Sequence, residues 1–227
     1  MAQIKTKRER IKFASDNVTG ACPEVLDAIL KANDGDRTPY GNDEISKSLQ
    51  DKFSDIFEKD VVVFPTSSGT AANALALSTM TPSFGNIYCH KLSHINVDEC
   101  GAPEFYTGGA KLVNLNGVNG KITAEELNKS IVGKGIVHHT QPSSVSITQL
   151  CETGEAYKLD EIKKISEIAH EHKLNIHMDG ARFANALVSL NCSPAEMTWK
   201  SGIDVLSFGA TKNGCFAAEA IIFFKPE

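Results

Sequence analysis

The chain has 227 residues, 41% hydrophobic and 22% charged, with 17 glycines spread along it, a composition that excludes a disordered chain and leaves room for one large domain or two small ones. A net charge of −5 speaks against a general nucleic-acid binder, which needs a clustered basic surface to neutralise phosphates. No apolar run approaches the roughly 20 residues needed to cross a bilayer, so no membrane span is expected.

From the N-terminus, Lys5, Lys7, Arg8, Arg10 and Lys12, interrupted by Glu9, form the one basic run. It reads as a solvated tail over residues 1–14, and because no apolar segment follows it the protein is expected in the cytoplasm. Val25, Leu26, Ala28, Ile29 and Leu30 follow Pro23 and predict a helix over 24–31 with proline in its first turn. Ile45, Leu49, Phe53, Ile56 and Phe57 share one face of a second helix over 44–58, with a loop at 38–43 between the two. Residues 60–64 are a continuous apolar strand. The small-residue turn Ser67-Ser68-Gly69-Thr70 and an Ala/Leu-rich helix over 71–80 come directly after it.

Farther along, strands are expected at 136–139 and 145–149, a helix at 159–170, a strand at 174–178, a helix at 194–200, and strands at 205–209 and 220–224. Strands alternating with helices predict an α/β fold, a three-layer sandwich whose mostly parallel sheet is covered on both faces. No repeat, low-complexity stretch or Pro/Ser-rich linker divides the chain, so residues 15–227 are expected to be one domain. The cysteines, Cys22, Cys89, Cys100, Cys151, Cys192 and Cys215, follow no CxxC or other regular spacing and read as reduced thiols. His170 and His172 stand two apart on a predicted helix and face different ways, so no metal site is expected.

In an open α/β sheet, ligands gather beyond the carboxyl ends of the strands. Three loops there carry chemistry. At Ser67-Ser68-Gly69-Thr70 a phosphate would meet free backbone N–H groups and the positive end of a helix dipole, while the same serines and threonine also suit ordinary helix capping. Asp179, directly after an apolar strand in Ile176-His177-Met178-Asp179-Gly180-Ala181-Arg182, would keep a pyridine nitrogen protonated or cap the next helix. Lys212, in Val205-Leu206-Ser207-Phe208-Gly209-Ala210-Thr211-Lys212-Asn213-Gly214, ends a strand amid small residues, where a desolvated amine is suited to imine formation. Phosphate loop, strand-end acid and strand-end lysine, in that order, are the parts of a pyridoxal-phosphate site. A nicotinamide site is disfavoured because GxGxxG is missing.

With these residues the chain resembles the threonine aldolases and related β-eliminating lyases, fold-type I pyridoxal-phosphate enzymes of the aspartate-aminotransferase-like fold. The likeness runs from Phe13-Ala14-Ser15-Asp16-Asn17-Val18-Thr19 to the C-terminus. Its most specific pieces are Tyr40-Gly41-Asn42-Asp43, Ser68-Gly69-Thr70-Ala71-Ala72-Asn73, His94 with Glu99 and Gly101, His177 through Arg182, and Thr211-Lys212-Asn213-Gly214. The resemblance implies that Lys212 forms the Schiff base with pyridoxal 5'-phosphate, that Asp179 pairs with the ring nitrogen, and that Gly69 and Thr70, with Ser68, hold the phosphate. His94 would stack on the ring and join Lys212 in catalysis. Ser15 and Arg182 would bind the substrate carboxylate, Arg182 also lying near the phenolic oxygen.

The implied reaction cleaves a β-hydroxy-α-amino acid, such as L-threonine or phenylserine, to glycine and an aldehyde, in a homodimer or homotetramer. The alternatives are another pyridoxal-phosphate enzyme, a β-eliminating lyase or aminotransferase, and a non-catalytic truncated homologue. Two departures stand out. Where low-specificity threonine aldolases carry a second histidine, this chain reads Cys151-Glu152-Thr153-Gly154, closer to a phenylserine-aldolase-like branch, which leaves the general base open. Family members also continue past the lysine into a small C-terminal domain that supplies another arginine, so the chain is expected to represent the large domain alone.

Overall fold

The computed structural model describes residues 14–225; the basic run, and the expected tail apart from Ala14, lie outside them. The chain opens with α1 (Pro23–Ala32) and α2 (Glu44–Phe57), then passes through β1 (Val62–Thr66), α3 (Gly69–Met80), β2 (Gly85–His90), α4 (His94–Val97), α5 (Ala102–Tyr106) and β3 (Lys111–Leu115). It continues through α6 (Ala124–Ser130), β4 (Gln141–Thr148), α7 (Leu159–Glu171), β5 (Asn175–Gly180), α8 (Phe183–Leu190), α9 (Pro194–Met197), β6 (Val205–Gly209) and β7 (Glu219–Phe223).

The strands form one seven-stranded sheet in the order β1-β7-β6-β5-β4-β2-β3. Neighbours are parallel from β3 across to β6, and β7 alone runs against its neighbours β1 and β6. Helices cover both faces, as the α/β alternation predicts. On one face Ile162, Ile165 and Ala169 of α7 and Phe183 and Ala186 of α8 join Phe57 in the main core over Ile176, Met178 and Leu206. On the other, α3 presents Ala72 and Ala76 to Val205 and Ile221, and Leu77 to Ile87 and Cys89. Its alanines let the helix lie close on the sheet, which brings its N-terminal turn against the strand ends.

The expected strand at 136–139 is a turn, with Ile136 and Val137 exposed. The Gln141 side chain, which accepts from the Gly135 N–H and donates to the carbonyls of Ile136 and His139, ties this turn together. The expected helix over 194–200 breaks at Thr198 (φ −114°, ψ −107°) and resumes as a 3-10 turn, Trp199–Ser201. The last strand begins one residue earlier than expected, which takes Glu219 into it.

Candidate functional site

The loops after β1, β2, β5 and β6 meet at the carboxyl edge of the parallel strands around a cavity of about 290 Å³. Its wall includes Ser68, Gly69, Thr70, His94, Asp179 and Lys212, so six of the residues singled out in the sequence come together.

The turn after β1 passes straight into α3. The Ser68 hydroxyl accepts from the Ala71 N–H at 3.2 Å and caps the helix. Geometry leaves the first N–H groups of any α-helix without intrahelical acceptors, so those of Gly69 and Thr70 are available to a ligand, at the positive end of the helix dipole. Ser68 thus caps the helix without using these two backbone N–H groups. A Cβ on Gly69 would meet only Glu219 Oε2, at 3.6 Å, so the protein's own packing does not demand a glycine there.

After β2, His94 opens the short helix α4, and its Nδ1 lies 2.9 Å from Oε1 of Glu99. That carboxylate is 3% exposed. The hydrogen bond to Glu99 raises the His94 pKa against the downward push of burial, and the charges of Glu99, Asp179 and Glu152 add to the rise. Burial raises the Glu99 pKa, opposed by its hydrogen bonds with His94 and Asn73.

At the end of β5 the Asp179 carboxylate accepts from Asn73 Nδ2 and from the Ala181 N–H, each at 3.0 Å. It does not cap the next helix: α8 has Arg182 in that position, with no side-chain cap. Lys212 sits in a 3-10 turn, Thr211–Asn213, directly after β6. Glu219, at the start of β7, binds the Thr211 hydroxyl. Burial raises its pKa, helped by the Asp179 charge and opposed by Thr211 and Lys212.

Ser15 and Arg182 are not on the cavity wall. The Ser15 hydroxyl accepts from the Asn17 N–H at 3.2 Å, and it is Asn17 that reaches the cavity. Arg182 donates from Nε and Nη2 to Asp16 at 2.6 and 3.3 Å, while its Nη1 lies 3.6 Å from Glu152. Nη1 is buried and has no hydrogen-bond partner among the described residues. Glu152 belongs to the segment where the resemblance leads one to look for a histidine.

Asn17, Asn73, Thr211 and Glu219 were given no role on sequence grounds, yet all four line the cavity. A signal existed for Asn73: it is the one carboxamide in an Ala/Leu-rich helix, four residues after Gly69 and therefore above it on the same face. Glu219 follows Ala217-Ala218 just before an apolar strand, a weaker signal. Among the described residues no cluster of His, Cys, Asp or Glu is arranged to hold a metal.

A family model described as beta-eliminating lyase matches residues 12–227. The low specificity L-threonine aldolase of Pseudomonas sp. (strain NCIMB 10558) is 47% identical over 213 residues, which are 94% of this chain and 62% of that protein. The low specificity L-threonine aldolase of Pseudomonas aeruginosa is 45% identical over the same shares. Among solved structures, the Leishmania major threonine aldolase superposes with a TM-score of 0.87 at 28% identity, over 95% of this chain and 64% of that one. The chain thus spans 62% of the length of these two curated relatives.

Proposed function

Since the chain belongs to the beta-eliminating lyase family, matched over residues 12–227, we propose that residues 15–227 form the cofactor-binding domain of a pyridoxal-5'-phosphate-dependent aldolase. Its substrate would be a β-hydroxy-α-amino acid such as L-threonine or phenylserine, cleaved to glycine and an aldehyde. The observation that carries this reading is the meeting of Lys212, Asp179, His94 and the N-terminus of α3 on one cavity.

The residues present fit the cofactor. The N–H groups of Gly69 and Thr70, at a helix N-terminus beside the Ser68 cap, suit a phosphate dianion. Asp179, already held by two N–H donors, would keep a proton on the ring nitrogen. Lys212 offers the primary amine for the aldehyde carbon, and His94 would cover the ring. Pyridoxal phosphate, when bound, supplies an electron sink for the pair released as the Cα–Cβ bond breaks.

Arg182 would orient the substrate through Nη1, which makes no hydrogen bond among the described residues and has Glu152 only at 3.6 Å, so the substrate carboxylate would complete its hydrogen bonding. Ser15 would stand beside it on the same short segment as Asp16. The ion pair of Arg182 with Asp16 then has a second use, since it fixes the guanidinium plane before the substrate arrives.

A homodimer or homotetramer in the cytoplasm accords with this reading. No described helix is long and apolar enough to cross a membrane, and α1 buries none of its residues while exposing Leu26, Ile29 and Leu30. The test is spectroscopic and chemical. Purified protein mixed with pyridoxal phosphate should gain visible absorbance that Lys212→Ala abolishes, and release of aldehyde from L-threonine and phenylserine should separate carbon–carbon cleavage from transamination. A wild-type protein that stays colourless at saturating cofactor would sink the proposal.

A further inference from the structure

We propose that Asn73 and Glu99 are positioning residues: through them His94 and Asp179 form one hydrogen-bonded unit that fixes which nitrogen of the His94 ring is presented to the cavity. The linkage stands on side-chain geometry alone. Only its consequence for catalysis rests on reading the cavity as a cofactor site.

Asn73 is 2% exposed, in a helix otherwise built of alanine, leucine and small residues. A buried carboxamide is tolerated where its donors are used. Both hydrogens on Nδ2 are used here, one toward Glu99 Oε1 at 2.7 Å and one toward Asp179 Oδ2 at 3.0 Å. One amide nitrogen therefore holds two buried carboxyl groups that are 26 and 106 residues away in sequence. Two carboxylates this close would repel each other, and a neutral donor shared between them offsets part of that repulsion.

Glu99 is held through one oxygen only. Its Oε1 accepts from Asn73 and faces His94 Nδ1, while Oε2 has no partner among the described residues. Removing Asn73 would leave the carboxylate free to turn, and His94 would lose its anchor. With Glu99 in place, the ring proton at Nδ1 points at the carboxylate and Nε2 is the nitrogen left for the cavity, the arrangement by which a buried acid fixes a histidine tautomer.

Three acids face His94: Glu99 after α4, Asp179 on β5 and Glu152 after β4. Lys212, across the cavity wall after β6, is the opposing cation, and Asn73, from α3, is neutral. Glu99 is the one acid bonded to the ring, so its charge should dominate the histidine's proton affinity.

The His94 ring can be followed by NMR in the full chain without cofactor, assigned by the signal lost in His94→Gln. Wild-type His94 should titrate above the ordinary value of about 6.5. Glu99→Gln should lower it by about one to two units, and Asn73→Ser should move it the same way by less. A wild-type His94 that titrates at or below the ordinary value would overturn the proposal even if neither variant folds. So would folded variants whose melting temperature falls while the His94 titration stays put, since that result marks packing alone. The expected titration in a protein that never gains visible absorbance with pyridoxal phosphate would retire the cofactor reading and leave the linkage standing.

Discussion

His177 lies two residues before Asp179 on β5, hence on the same face of the strand, and is completely buried. Its Nδ1 is 2.9 Å from the Ser146 hydroxyl on β4 and its Nε2 is 2.8 Å from the Ser207 hydroxyl on β6. A neutral imidazole donates from one nitrogen and accepts at the other, and a hydroxyl serves either role, so the ring is satisfied without charge. Burial pushes its pKa down to about 4, against an upward pull from the Asp179 charge. In the unfolded chain a histidine titrates near 6.5. Between those two values the unfolded chain takes up a proton that the folded chain refuses, so this contribution to stability is full above about pH 6.5 and is lost as the pH falls toward 4. The loss should be roughly 2 kcal/mol between pH 7 and pH 5. Urea unfolding at both pH values should show His177→Gln less stable than wild type at pH 7 but losing less on acidification. Equal losses in the two proteins would mean that the buried ring does not stay neutral. The sequence places His177 in an apolar strand; the two serines, 31 and 30 positions away, carry no local signal of their partnership.

Among the elements, α3 joins fold to site most directly, because one end carries the free N–H groups and its buried side carries Asn73. Gly69 is its first residue and has no positive φ, so alanine fits the backbone, and alanine is the better helix former by up to about 1 kcal/mol. Gly69→Ala should therefore melt at the same temperature or slightly higher, yet bind pyridoxal phosphate about tenfold more weakly, which corresponds to about 1.4 kcal/mol. Ser68→Ala should behave differently, losing about 1 kcal/mol of stability with its cap. Thermal melts together with fluorescence titration of the cofactor distinguish the two, and unchanged affinity in Gly69→Ala would remove the argument for phosphate at this turn. Elements with strong periodicity were legible: α2 and α7 end within one residue of the helices read from their apolar faces. β2 was not, because all six of its residues are buried although Asn86 and His90 are polar, and an interior strand without alternation leaves no pattern of period two. The apolar group at 136–139 misled for the converse reason, being a short hydrophobic run that ends exposed in a turn.

The molecule as a whole has two working edges of one sheet, and they were unequally visible. At the carboxyl edge, the loops that carry Gly69, Asp179 and Lys212 could be read from strand-then-loop order, whereas the link from Asn73 to Asp179 spans 106 residues and exists only once α3 is laid across the sheet. The amino edge is held by Asp204, which sequence reasoning passed over, as it did the pairing of His170, considered there only as a metal ligand. Asp204 Oδ2 accepts from the Ile176 N–H and faces His170 Nε2, both at 2.9 Å, and Oδ1 lies 2.7 Å from Lys225 Nζ. Its own backbone bonds to Ile176 and Phe224, so a single residue joins α7, the starts of β5 and β6, and the chain beyond β7. Burial pushes the Asp204 pKa up, but the hydrogen bonds from His170, Lys225 and Ile176 outweigh it and the net shift is downward. A carboxylate whose folded pKa is depressed contributes stability above its unfolded pKa of about 3.9, and that contribution is lost as the pH falls through the folded value. Asp204→Asn keeps the shape and one acceptor, yet must turn an NH₂ group toward either His170 or Lys225. It should cost about 2 kcal/mol at pH 7, and that cost should shrink as the pH falls below about 3.9 and wild type progressively loses the same stabilisation. Because Asp204 ties four segments of one core together, the loss should appear as a lower midpoint of one cooperative urea transition; a separate early transition in the variant would show instead that the amino edge unfolds by itself.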